Sequence, residues 1–194
     1  MILGITGGTG TGKTSVCQYF KNEGFVIIDS DVVARNVCTK GTQCLEEIVQ
    51  SFGEDVLDSD GNLKRKELGR IVFSDKKKLK TLNGITHKYI IASIKKTIEE
   101  NQGRNIVIDA PLLLETGLDS ICTRTLCVLA DEDIRLKRIM KRDSLCAADA
   151  KARIQSQPAD EFYISRCDFV LYNNGDTGRL YMELYDMFGG IDGR

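Results

Sequence analysis

The stretch ILGITGGTGTGKTS, Ile2 to Ser15, crowds glycine and lysine between an apolar run and an amphipathic one. Gly7, Gly12, Lys13 and Thr14 fit the pattern G-x-x-x-x-G-K-[ST]. A glycine inside a helix or strand is less favourable than alanine by roughly 0.5–1 kcal/mol. Glycines gathered at a strand-to-helix junction therefore mark backbone that something must approach closely. N–H groups turned inward at such a loop, reinforced by a helix N-terminus, form an anion site. Gly8, Thr9, Gly10, Thr11, Gly12, Lys13, Thr14 and Ser15 are the expected cradle of a nucleoside triphosphate. Lys13 would reach its β- and γ-phosphates, and the Thr14 hydroxyl would ligate Mg²⁺.

Two further clusters carry charge suited to phosphoryl chemistry. In FVIIDSDVVARN an apolar strand ends in Asp29-Ser30-Asp31. Ligands of open α/β sheets sit beyond the carboxyl ends of the strands, so both carboxylates are expected on the rim that holds the glycine loop. A carboxylate there can take a proton from an attacking hydroxyl or hold a metal-bound water; it can also simply cap the helix that follows. In DEDIRLKRIMKRD, Arg135, Arg138 and Arg142 fall on one helical face, opposite Leu136, Ile139 and Met140. Like charges at this spacing repel by a few tenths of a kcal/mol per pair, and an anion in front of them reverses the sign. Asp109 ends another apolar run and is an alternative Mg²⁺ neighbour, or a solvated cap. The Lys76–Lys80 run reads as a wet helix face, and His87 as a lone histidine within a helical pattern.

These residues need a scaffold, and the apolar runs supply one. Ile2–Thr6, Phe25–Ile28, Ile106–Ile108, Thr125–Leu129 and Phe169–Tyr172 lack polar alternation, as strands of a parallel sheet covered on both faces do. The expected fold is α/β: a five-stranded parallel sheet with helices on both faces. Helices are expected near Glu46–Phe52, Arg65–Phe73 and Leu79–Glu100, with a turn at Asp60-Gly61-Asn62. The long passage from the second strand to the third, about 32–102, reads as an inserted helical subdomain within a single domain spanning 1–194. A second helical excursion runs from Asp131 to Cys167. The tail GGIDGR after Phe188 is expected to fray.

Composition narrows the class. A net charge of −1 across 194 residues gives no electrostatic case for nucleic acid. No apolar run approaches the roughly 20 residues of a membrane-spanning helix, and no signal peptide is expected. The seven cysteines include no C-x-x-C and accompany a single histidine, so a zinc site is disfavoured. Free thiols in a reducing cytoplasm are the plain expectation.

The ordered set TGGTGTGKTS, IDSDVVAR, DGNLKRKELGRIVF, LNGITHKYI, DAPLLLE, RLKRIMKRD, RIQSQ and YNNG resembles the dephospho-coenzyme A kinase family over nearly the whole chain. The resemblance implies a nucleotide-kinase-like P-loop fold and transfer of the ATP γ-phosphoryl to the ribose 3′-hydroxyl of dephospho-CoA. It implies Mg²⁺ with ATP and dephospho-CoA as co-substrates; from charge and hydropathy no nucleic-acid or membrane partner is expected, and the oligomeric state is left open, a monomer being the first expectation. By the same resemblance, Lys13, Asp31 and Arg138 are catalytic: Asp31 orients or deprotonates the hydroxyl, while Arg138 and Arg142 close with a lid, about 138–158, over the phosphates. Asn173 falls near the adenine, and Arg65 and His87 on the CoA side. Mg²⁺ would meet Thr14, with Asp31 or Asp109.

The chain departs from the family pattern at Lys88, where proline is usual, and at PLLLE, where an aliphatic residue replaces an aromatic one. It departs also at Tyr172, where an acid is usual, and across PADEFYISR, which lacks the usual basic residues. A nucleoside or nucleoside monophosphate kinase of the same fold is the alternative, distinguished by the insert. A GTP-binding switch is the other, resting on Asp58-Ser59-Asp60-Gly61, but no N-K-x-D follows.

Overall fold

The computed structural model describes residues 1–189; beyond Gly189 the tail expected to fray lies outside the described residues. Five strands, β1 (Ile2–Thr6), β2 (Val26–Asp29), β3 (Ile106–Asp109), β4 (Arg124–Leu129) and β5 (Phe169–Tyr172), form one sheet in the order β2-β3-β1-β4-β5. β1 pairs in parallel with β3 and β4, and β4 with β5. The interior strands are buried along nearly their whole length, as expected of a covered parallel sheet. The edge strands β2 and β5 are only partly buried, contrary to the expectation of burial on both faces. A strand at the end of a sheet has one neighbour fewer to cover it.

Every strand but β3 feeds an α-helix; β3 leads through turns and a short 3₁₀ segment, Leu118–Ile121, to β4. α1 (Lys13–Asn22) follows the glycine loop and buries Val16, Cys17, Tyr19 and Phe20, at helical spacing. Gly24, with φ +83°, ends that turn and returns the chain to β2. One face of the sheet packs Leu3, Ile5, Val107, Leu126, Val128 and Leu171 against α1 and the last helix, α9 (Thr177–Phe188). On the other face Cys127 and Leu129 pack with Tyr163, Phe162 and Leu114.

The chain divides into two compact units, one of residues 1–28 and 103–189, the other of Asp29–Gln102. The second unit contains α2 (Ser30–Asn36), α3 (Gln43–Phe52), α4 (Arg65–Phe73) and α5 (Lys76–Glu100). Inside it α5 packs against α2, α3 and α4, around a core of Cys38, Cys44, Ile48, Val56, Leu68 and Val72. α5 starts three residues earlier than the apolar pattern indicates, because Asp75 caps it by accepting from the N–H groups of Lys77 and Lys78. The lysine run is solvated in its first turns. The Asp58 carboxylate accepts from the N–H groups of Asp60 and Asn62. The D-x-x-G tetrapeptide is therefore an Asx turn, closed by the Leu57–Leu63 bridge.

In the first unit the excursion after β4 forms α6 (Glu132–Asp143), α7 (Ala147–Gln155) and the short α8 (Asp160–Ile164). Ile139 of α6 packs on Ala150 and Ile154 of α7. No helix among the described residues is long and apolar enough to cross a membrane.

Candidate active site

β1 is the central strand, so the loop that leaves it emerges mid-way along the carboxyl edge of the sheet. Gly12 holds φ +94° at the start of α1, and no side chain caps that helix. An uncapped first turn leaves orphan N–H groups and the positive end of the helix dipole facing outward. The loop is braced from within: the buried Thr11 donates its hydroxyl to the Gly8 carbonyl at 2.9 Å. Lys13 curls over the loop, its Nζ 2.6 Å from the Gly7 carbonyl and 3.4 Å from that of Gly8. Thr14 and Ser15 are exposed in the first turn. Asp109 lies at the end of β3 in register with Ile5, one residue before Thr6, where β1 ends and the loop begins.

α6 turns its arginines onto this loop. Arg138 donates to the carbonyls of Gly10 and Thr11, at 3.3 and 3.2 Å, and burial pulls its guanidinium below the ordinary value. Arg142 reaches the Thr9 hydroxyl at 3.3 Å and grips the adjacent Asp143 with two bonds of 2.7 and 2.8 Å. That hydrogen bonding raises the Arg142 guanidinium and draws the Asp143 carboxyl down. Arg153 of α7 binds the same carboxylate. The last motif contributes two amides. Asn173 is buried, takes its own N–H to the Leu129 carbonyl, and donates its side-chain amide to Thr11 at 2.8 Å. Asn174 accepts the N–H of Asp131 at 2.9 Å, fixing the entry into α6.

Within the unit Asp29–Gln102, the two acids after β2 have different roles. Asp29 is the N-cap of α2, its carboxylate accepting from the N–H groups of Asp31 and Val32 at 2.8 and 3.0 Å. Asp31 sits exposed in the first turn of the helix that Asp29 caps. Arg65 opens α4 and donates to the Arg35 carbonyl in the last turn of α2, at 2.9 Å. His87 is half-buried on α5. Beside it Lys88, the departure from the family's usual proline, binds Glu47 of α3 at 2.6 Å, and Tyr89 donates to the same carboxylate at 2.6 Å. The Glu47 carboxyl is lowered first by the Lys88 bond, and the Tyr89 phenol is pushed up to about 12 by the same carboxylate.

A sequence profile described as dephospho-CoA kinase matches residues 1–178. The chain belongs to this family. It is 38% identical over 184 residues to a dephospho-CoA kinase of Fusobacterium nucleatum, covering 95% of each chain. A solved structure from Thermus thermophilus superposes with a TM-score of 0.86 at 30% identity, covering 100% of this chain and 98% of that one. A dephospho-CoA kinase from Campylobacter jejuni gives 0.72 at 27% identity, covering 98% and 96%. The fold is that of the P-loop kinases, and the chain is a kinase of this family.

Gln157 was not among the residues the sequence marked as functional, and Arg135 was marked only with Arg138 and Arg142 as a face set before an anion; both touch the loop. Arg135 was visible only as the third member of the arginine face, and Gln157 only as the end of RIQSQ. Arg135 is buried, 7% exposed, with its Nε 3.0 Å from the Thr9 carbonyl. The side-chain Oε1 of Gln157 accepts the Thr9 N–H at 2.7 Å. A Cβ on Gly8 would overlap the Arg135 guanidinium, and one on Gly12 the Asn173 amide. Side chains distant in sequence thus lie where a Cβ would go at both glycines, and at Gly12 the φ of +94° disfavours a side chain as well.

Proposed function

We propose that this protein transfers the γ-phosphoryl group of ATP to the 3′-hydroxyl of the ribose of dephospho-CoA, giving coenzyme A and ADP. The observation that carries the proposal is convergence. Within a chain of this family, Lys13, Arg138 and Arg142 all meet the glycine loop at the uncapped N-terminus of α1.

The loop N–H groups and Lys13 bind and orient the β- and γ-phosphates of ATP. Arg138, partly desolvated, offers a fixed positive charge to the oxygens that gain charge during transfer. Arg142 sits further out, where α6 and α7 would close as a lid over about residues 138–158 and exclude water. Asn173 acts on ATP through the loop, by holding the Thr11 carbonyl. Asp31 positions the 3′-hydroxyl and takes up its proton; because Asp29 does the capping, the Asp31 carboxylate is left for this role. The unit Asp29–Gln102, with Arg65 and His87, would receive the acceptor.

The residues present fit a Mg²⁺ ion. Thr14 presents a hydroxyl, and Asp109 or Asp31 a carboxylate. An ion held by so few side chains would take its remaining ligands from phosphate oxygens and water. When bound, Mg²⁺ neutralises charge on the β- and γ-oxygens.

The test is product mapping. Incubation with ATP, Mg²⁺ and dephospho-CoA should yield a new phosphomonoester coupled to the ribose 3′ proton in ³¹P–¹H correlation spectra. A phosphate at another position, or no product from folded protein, would overturn the assignment.

A further inference from the structure

Thr9 lies at the crest of the glycine loop, and both of its backbone polar groups are held by side chains from distant parts of the chain. Its N–H donates to Oε1 of Gln157 at 2.7 Å, its carbonyl accepts from Nε of Arg135 at 3.0 Å, and Nη2 of Arg135 donates to that same Oε1 at 3.2 Å. The three residues thus close a ring of hydrogen bonds. Asp160, at the start of α8, lies 3.7 Å from the remaining guanidinium nitrogen, Nη1. The buried cation therefore faces a counter-charge as well as two acceptors, as a desolvated guanidinium requires. Asp160 falls in PADEFYISR, the segment that departs from the family's basic pattern. Backbone atoms of Arg135 also press on Gly10, where a Cβ would come within 2.9 Å of the Arg135 carbonyl.

We infer that Arg135 and Gln157 are positioning residues for phosphoryl transfer. They set the peptide planes on either side of Thr9, and so aim the loop N–H groups that receive the phosphates. The inference rests on the reading that this loop binds ATP. A phosphate-binding loop works only if its donors already point at the ligand, and that precision comes from the residues behind them. Arginine suits the place because one planar guanidinium donates to two acceptors at fixed angles, which a lysine ammonium does not reproduce.

The experiment compares Arg135→Ala, Arg135→Lys, Gln157→Ala and the double variant Arg135→Ala/Gln157→Ala by steady-state kinetics and by calorimetric titration with ATP and Mg²⁺. Lys13→Met is the reference. Arg135→Ala and Gln157→Ala should each raise the KM for ATP about tenfold, with the KM for the acceptor within about twofold. Combining the two should add little, because they break one ring. Arg135→Lys keeps the charge opposite Asp160 but loses the fork, so it should resemble Arg135→Ala in KM. Gln157→Ala keeps the test open should the buried arginine variants fail to fold. Lowered thermal stability with an unchanged KM for ATP would overturn the inference and leave only a structural role. Full rescue by Arg135→Lys would overturn it too, in favour of simple charge balance. If Lys13→Met still bound and turned over ATP normally, the reading of the loop itself would fall, and the inference with it.

Discussion

The side-chain amide of Asn173 donates to the carbonyl of Thr11 across 162 positions of sequence, at 2.8 Å. The adjoining Gly12 has no Cβ where that amide lies. Asparagine and glycine form one fit: the first holds the loop from behind, and the second makes room for it. β5 enters beside β4, and the Asn173 N–H bonds to Leu129 at 2.8 Å, so the amide is aimed by the sheet itself.

Asn173→Ala should leave the Thr11 carbonyl without this donor and open a small gap beside Gly12. The loss of such a bond in a buried place is worth about 1–3 kcal/mol. The KM for ATP should rise about tenfold, with a lower melting temperature and little change in the KM for the acceptor. Kinetics with each substrate varied in turn decides the matter. An increase confined to the acceptor would place Asn173 in a different role.

Lys13→Ala and Arg138→Ala should each lower kcat by about 10²–10³-fold, the usual effect of removing one donor from developing transition-state charge. Far-ultraviolet circular dichroism should stay native for Lys13→Ala, since alanine is a strong helix former at the first position of α1. Unchanged turnover in Arg138→Ala would make that residue a brace for Gly10 and Thr11 and nothing more.

Asp31→Asn should lower kcat by about 10²-fold or more while leaving ATP binding within about twofold. Asn keeps the shape of the side chain, and the α2 cap is untouched because it belongs to Asp29. Asp29→Ala is the matching control. Loss of an N-cap costs about 1 kcal/mol, so it should reduce stability more than turnover. Equal kinetic losses in the two variants would contradict the division of roles.

Much of this was legible in the sequence, and the reasons are local. The glycine loop is defined by spacing within eight residues, the covered strands by uninterrupted apolar runs, and α4 by its own periodicity. The end of β2 moved by one residue to Asp29 and the start of α5 by three to follow Asp75, because caps decide such ends. The share of capping between Asp29 and Asp31 stayed open, because either carboxylate can reach the same N–H groups on paper. Arg135 and Gln157 were harder still. A buried guanidinium and an exposed one read alike in an amphipathic pattern, and only the fold brings α6 and the segment after α7 onto Thr9.

Acid should reveal a tie between β4 and the start of β5. Asp168 accepts from the hydroxyl and the N–H of Thr125, at 2.8 and 2.7 Å. The hydroxyl bond first, then the backbone bond, hold the Asp168 carboxyl below its ordinary 3.8. The ionised form is therefore favoured by folding. This contribution is complete above the unfolded value and is lost as pH falls through the lower, folded one. Asp168→Asn should be less stable than the parent at neutral pH, with the gap narrowing as pH drops below the ordinary value. Urea unfolding from pH 6 to pH 2 measures this directly; a gap that stays constant would contradict it.

The most direct test of the central claim is ADP release from ATP and Mg²⁺ with dephospho-CoA, adenosine or AMP as the acceptor. Rapid turnover with dephospho-CoA, and only background release with the other two, is the predicted result. Preference for adenosine or AMP would leave the glycine loop and the kinase fold in place and contradict the assignment of the acceptor.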